Sequence, residues 1–411
     1  MPNPGFQPYG SSDIVMNMPT LVFFLAMITC FVSCSDRDPA ASDPPPTTLA
    51  PTISRGFTTG GIPTRDTIAA AAQWGANNIR VWVNIPTSAP AERYWDEFET
   101  TTVRDAEIAV RNVVGSGVKV VLSCGSLIPG VDRDQNAYWS HPDLEHFHVE
   151  AWRRIARRLL PLREHIIGYD LINEPLDRSV LPAPPKAWRD LAIKIIAGIR
   201  EVDQDTWIIF EPGPGGTFAG FFDLKPLPDA KVIYSGHFYF PHMFTHQGIH
   251  NVAGTELTKA MEQVNLPYPF PVAQLKEDIW ELNFHRIQDL QVFDRAAIDR
   301  IAAPALAFQR TYKVPIYLGE FSVVRWAPHD SAIRYLTDII DFCETNGWSW
   351  SYHSFREFHG WSLEHSDSLD WVEGMPNPPM PAALTDRARL VLKALARNGK
   401  PLQDLPAVEA S

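Results

Sequence analysis

Eight short strand-like runs alternating with seven longer helical stretches predict an α/β fold, a single-domain (β/α)₈ TIM barrel. Two further observations support that class. Several of the strand runs, such as Val118–Ser123 and Ile166–Ile172, are almost continuously apolar, as a strand buried on both faces of a parallel sheet must be. The rival, a doubly wound open sheet, usually carries a dinucleotide-type glycine turn after its first strand. Here Gly56-Phe57-Thr58-Thr59-Gly60-Gly61 does not fit G-x-G-x-x-G. No internal repeat and no second core interrupts the alternation.

In chain order, strands are expected at Ile53–Thr58, Asn78–Val83, Val118–Ser123, Ile166–Ile172, Thr206–Phe210, Val232–Tyr239, Ile316–Leu318 and Trp348–Tyr352. Helices are expected at Thr64–Trp74, Thr101–Val114, Leu144–Leu160, Lys186–Val202, Phe284–Tyr312, His329–Glu344 and Thr385–Arg397. Thr64 suits an N-cap, and the prolines of His141-Pro142-Asp143 and Pro184-Pro185 suit a first helical turn. Gly115, Gly117 and Gly347 mark helix ends.

The first 52 residues are expected to lie outside this fold. Thr20–Ser33 is an apolar run too short for a spanning helix, which needs about 20 residues, and has the length of a signal-peptide core. Phe31-Val32-Ser33-Cys34 resembles a bacterial lipoprotein signal, although Phe31 stands where Leu is usual and no Lys or Arg precedes it. Residues 1–34 therefore read as a lipoprotein-type signal peptide, 35–52 as a Pro/Ser/Thr-rich linker and 53–411 as the barrel domain. The expected place is secreted or in the cell envelope, with a lipid anchor to the membrane through Cys34.

Composition narrows the partners. The hydrophobic fraction of 45% and charged fraction of 20% fit an ordinary globular domain. A net charge of -12 argues against nucleic acid, whose phosphates are bound by basic surfaces. Thirteen Trp suit a cleft that stacks sugar rings, although Trp also fills cores. Beyond the leader only Cys124 and Cys343 remain, both in apolar surroundings, so buried free thiols are expected rather than a disulfide framework.

The chemistry lies where strands end. Strand four runs into Asn173-Glu174-Pro175, and strand seven into Leu318-Gly319-Glu320-Phe321. Each places a Glu at the C-terminal face, where barrel active sites are built, and the two strands stand across the ring from one another. Two facing carboxylates serve glycoside hydrolysis, one as acid and the other as nucleophile or base.

On these motifs the sequence resembles glycoside hydrolase family 5, cellulase-like enzymes of a clan of retaining glycosidases, over about residues 53–397. The resemblance implies Glu174 as acid/base and Glu320 as nucleophile. It also implies substrate-binding roles for Arg80 on strand two, Asn173, His237 and Tyr239 on strand six, and Trp350 as the strand-eight stacking platform. It implies a carbohydrate substrate, β-1,4-glucan or mannan first; no cofactor is expected, and with no carboxylate or His cluster on strand one, no metal. One departure stands out: Val120-Val121-Leu122-Ser123-Cys124-Gly125 lacks the His that family members commonly carry after strand three.

Independently of the resemblance, Arg80 is the cation suited to keep Glu320 ionised, and Tyr239 can donate to the same carboxylate. Asp170 is expected as a structural hydrogen-bond hub, and Glu211 as either a ligand or a loop anchor. His237, His242, His246 and His250 recur at metal-ligand-like intervals, but a substrate-positioning loop is the favoured reading. The long segment after strand six, together with Phe355–Trp361, is expected to wall one end of the cleft. Trp82, Trp326 and Trp361 are further stacking candidates. The alternatives kept open are an exo-acting enzyme on short oligosaccharides or glycosides, and a non-catalytic carbohydrate-binding barrel.

Overall fold

All eight expected strands form, and they close on themselves. The computed structural model describes residues 52–399, apart from 87–89, 126, 129, 132–133, 250–263, 276–279 and 368–382. The leader, Cys34 and His250 therefore lie outside the described residues. The strands are β1 (Arg55–Thr59), β2 (Asn78–Trp82), β3 (Lys119–Ser123), β4 (Ile166–Asp170), β5 (Trp207–Phe210), β6 (Val232–Phe238), β7 (Ile316–Phe321) and β8 (Ser349–His353). Each pairs in parallel with its sequence neighbour, and β1 pairs with β8 to close the barrel, with Arg55 opposite Trp350. Parallel pairing demands a crossover after every strand, and amphipathic helices supply most of them.

Local signals explain the helix ends. The Thr64 hydroxyl accepts the Thr67 amide at 3.1 Å, and Thr385 caps Asp386–Leu395 in the same way. Gly347 ends His329–Asn346 in the left-handed conformation, with φ 67°. The expected helix 284–312 is shorter at its start: it runs Arg295–Tyr312, because the Asp294 side chain accepts the Ala297 amide and caps it there. Just before that cap, Val292–Phe293 pairs antiparallel with Phe270–Pro271, so the segment after β6 carries its own small ladder. Cys124 and Cys343 are buried free thiols, as expected.

Side-chain parity along β8 corrects one reading. Ser351 points into the barrel, where its hydroxyl meets Tyr317 Oη at 2.6 Å and donates to Asn78 at 2.6 Å. Trp350, one residue earlier, points the other way. It is fully buried between the barrel and His329–Asn346, edge-on to Phe321, and its Nε1 donates to Glu344 at 3.0 Å. Trp350 is a core residue and not a stacking platform. Deeper in the barrel, Val121, Ile209, Ile233 and Tyr317 form a separate apolar cluster.

Candidate active site

The C-terminal strand ends converge on one guanidinium. Arg80 on β2 is completely buried, and its N–H groups donate to five side chains. They are Asp170 at 2.9 Å, Glu320 at 2.5 Å, Ser123 at 3.1 Å, Asn173 at 2.8 Å and Glu211 at 3.2 Å. A planar fork of five N–H donors matches such a ring of acceptors.

Glu320, on β7, takes Arg80 on one oxygen and the Tyr239 hydroxyl on the other, at 2.7 Å. Burial favours its neutral form, but His237, His353, Arg80 and the Tyr239 hydrogen bond outweigh burial and hold the carboxyl at about 2. Burial and the facing Glu320 raise the Tyr239 hydroxyl well above its ordinary range, so Tyr239 remains a donor. Glu320 is thus an anion at any ordinary pH.

Glu174 follows β4 in a left-handed backbone conformation, φ 49°, uncommon for a residue with a Cβ. Its Oε1 pairs with His237 Nδ1 at 2.8 Å. Space for that pair depends on Gly216: a Cβ there would lie 3.0 Å from both Glu174 Cγ and His237 Nδ1. Glu174 is half-buried, whereas Glu320 is buried, so the former keeps contact with solvent. One oxygen of each lies within 4.8 Å of the other and of a His237 nitrogen.

Two carboxylates behind these residues complete the arrangement. Asp170 is buried against Arg80, and burial pushes its carboxyl up to about 6 despite that cation. Its Oδ2 meets Arg80 alone, and among the described residues its Oδ1 has no hydrogen-bond partner, so it is the ion-pair partner of Arg80 rather than the hydrogen-bond hub that the sequence suggests. Glu211, directly after β5, accepts the backbone N–H of Glu174 at 2.9 Å and lies 3.2 Å from His237 Nε2. Burial would raise its carboxyl, but His237, Arg80 and the Glu174 amide bring it below its ordinary value. Burial would likewise neutralise His237, yet Glu211, Glu320 and Glu174 raise its pKa well above the usual 6.5.

The structure brings together Glu174, Glu320, Arg80, Asn173, His237 and Tyr239, and leaves out Trp350. In its place at the mouth stands His353, the last residue of β8, with Nδ1 3.7 Å from Glu320 and Nε2 3.9 Å from Glu357. The alternation Ser349, Ser351, His353 was the signal that marks it as inward-facing. Trp82 and Trp361 flank His353, with ring centroids 6.3 and 5.9 Å away, and both are partly exposed. Trp326 is buried against Phe358 and His359.

Of the recurring histidines, the three described ones do not converge on one ion site, although His242 and His246 stack with centroids 5.0 Å apart. His242 pairs with Glu281, and His246 meets the Thr245 hydroxyl at 2.8 Å, while His237 faces Glu174. Among the described residues, Glu174, His237 and Glu320 are the group close enough to share an ion, and there Arg80 already neutralises Glu320.

Comparison with known proteins places this geometry. The family description "Cellulase (glycosyl hydrolase family 5)" matches residues 47–358. The chain belongs to glycosyl hydrolase family 5.

That family of glycoside hydrolases includes relatives of known description. Endoglucanase C of Acetivibrio thermocellus is 26% identical over 227 residues, 54% of this chain and 63% of the relative. Cellodextrinase A of Ruminococcus flavefaciens is 21% identical over 249 residues, 61% of each chain. The match thus spans less than two thirds of the length of these curated relatives. Thermotoga maritima Cel5A, solved with mannotriose, shares the fold at 18% identity with a TM-score of 0.60, covering 84% of this chain and 97% of that one.

In this family 5 protein, Arg80 carries the site's electrostatic balance. Arg80→Ala leaves buried carboxylates without their cation and is expected to cost about 3–5 kcal/mol of unfolding free energy. Arg80→Lys restores a charge but not the five-donor fork, and should recover only part of that loss. Denaturant unfolding of the three proteins measures this; equal stability of all three would contradict the assignment.

Proposed function

We propose that this protein hydrolyses β-linked glycans with retention of anomeric configuration, Glu320 acting as nucleophile and Glu174 as acid/base. The observation that carries this reading is that one oxygen of each carboxylate lies within 4.8 Å of one oxygen of the other, too close to leave the gap an inverting pair needs. Retaining glycosidases hold their pair about 5–5.5 Å apart, whereas inverting ones leave about 6.5–9.5 Å for a water. Glu320 attacks the anomeric carbon as Glu174 protonates the departing oxygen. Water, deprotonated by Glu174, then opens the glycosyl ester.

The surrounding groups take matching roles. Arg80 and Tyr239 orient the nucleophile. Arg80 fixes the Asn173 amide, whose N–H groups suit the sugar 2-hydroxyl, a contact that strengthens in the transition state. Trp82 and Trp361 are the stacking faces. The substrate class we favour is β-1,4-glucan or mannan, in line with the names of the relatives, an endoglucanase and a cellodextrinase, and of the Cel5A–mannotriose complex.

A second reading, attack on short oligosaccharides or chain ends, is favoured by one contact. His246, from the segment after β6, packs edge-on against Trp361 of the β8 loop with centroids 4.9 Å apart, walling the mouth beside Tyr239. We also place this chemistry in the cell envelope, on the strength of the apolar run and Cys34. A Cys34→Ser chain should lose detergent-phase partitioning; unchanged partitioning would contradict the anchor.

Following hydrolysis of cello- and manno-oligosaccharides by proton NMR tests the mechanism. The first product should be the β anomer, and its size separates internal cleavage from release at chain ends. Glu320→Gln should lower kcat roughly 10⁴-fold or more with the fold intact. An α anomer first, or a Glu320→Gln variant that still turns over, would overturn the mechanism. Sugar binding without turnover by the natural chain would point to a binding barrel.

A further inference from the structure

We infer that Glu211 is a positioning residue for the acid/base half of the site, fixing both the backbone of Glu174 and the protonation of its partner His237. This rests on the reading of Glu174 as acid/base.

Glu211 is held from behind. The Trp188 indole N–H, on the helix Trp188–Arg200, donates to the Glu211 carbonyl at 2.7 Å, and the same indole stacks on Phe210 of β5 at 5.2 Å. The Glu211 side chain is completely buried. Its Oε2 accepts the Glu174 amide N–H, the very residue whose backbone occupies the left-handed region. Its Oε1 lies 3.2 Å from both His237 Nε2 and an Arg80 nitrogen.

The consequence runs through the imidazole. Glu174 hydrogen-bonds one ring nitrogen and Glu211 lies at ion-pair distance from the other, so His237 sits between two carboxyl groups. The charged groups facing this trio are Arg80 from β2, Asp170 from β4 and Glu320 from β7, the last 3.9 Å from His237. Arg80 keeps Glu320 and Asp170 as partners when Glu211 is changed, so Glu320 retains its direct cation and feels the change only through the charge of His237.

The test compares the natural chain with Glu211→Gln and Glu211→Asp. Nitrogen NMR of the His237 ring in each protein reads its protonation directly, with or without turnover. In the natural chain the ring should remain protonated well above pH 6.5. In Glu211→Gln it should lose its proton at lower pH, and Glu211→Asp, which keeps the charge, should move it less. An unchanged His237 titration in Glu211→Gln overturns the proposal.

Kinetics supply the second arm. Glu211→Gln should lose kcat/KM about 10²-fold on oligosaccharides, whose leaving group needs a proton, and far less on aryl glycosides with acidic phenols. An equal loss on both classes, with unaltered pH profile, would assign Glu211 a merely structural role and overturn the proposal. If the natural chain cleaves no β-glycoside, the functional reading fails on its own, while the His237 titration still decides whether Glu211 sets that ring's charge.

Discussion

The buried guanidinium of Arg80 is the constraint on which the mouth of the barrel depends. It reaches Ser123, Asp170, Asn173, Glu211 and Glu320, which arrive from β3, β4, β5 and β7 and their following loops. Without a cation at that point, three carboxylates would be packed side by side away from water, at a cost no hydrophobic contact nearby offsets. With it, the strand ends are drawn to one centre, and the apolar exterior of the barrel can pack against its helices undisturbed.

The charge balance within this cluster divides the carboxylates by role. Arg80 and His237 face Asp170, Glu211 and Glu320. Burial shifts the excess onto Asp170, raised to about 6, while Glu320 is held at about 2 and Glu211 below its ordinary value. Glu174 stands apart, the one of these acids in partial contact with solvent, and meets the cluster through His237 and the Glu211 bond to its amide. Environment rather than residue type thus makes one Glu a fixed anion and leaves the other beside the incoming substrate.

Much of this was legible in the sequence, for identifiable reasons. Apolar runs with a Glu at the end of the fourth and seventh are strong signals, because strand ends on one face of a parallel barrel must meet. The fate of Trp350 was harder to read. Neighbouring residues of a strand face opposite sides, so Trp350 and His353 exchange places with the choice of parity, and the β7–β8 register shifts between Trp350 and Tyr352. Glu211 could be named but not assigned, since an amide of another strand end completes its role. The helix start at Arg295 was hidden because Phe284–Asp294 has helical composition, and only the cap by Asp294 and the pairing of Val292–Phe293 stop it.

The proposal that the charge network keeps Glu320 ionised as the nucleophile is tested most directly by trapping the covalent ester. The protein is incubated with 2-deoxy-2-fluoro-β-cellobiosyl and β-mannobiosyl fluorides, whose electron-poor sugars form the ester faster than they release it, and the digested peptides are weighed by mass spectrometry. The account predicts one added glycosyl group on the peptide that contains Glu320, with its site on that carboxylate. A glycosyl group on Glu174, or release of fluoride and an inverted sugar with no adduct, would contradict it.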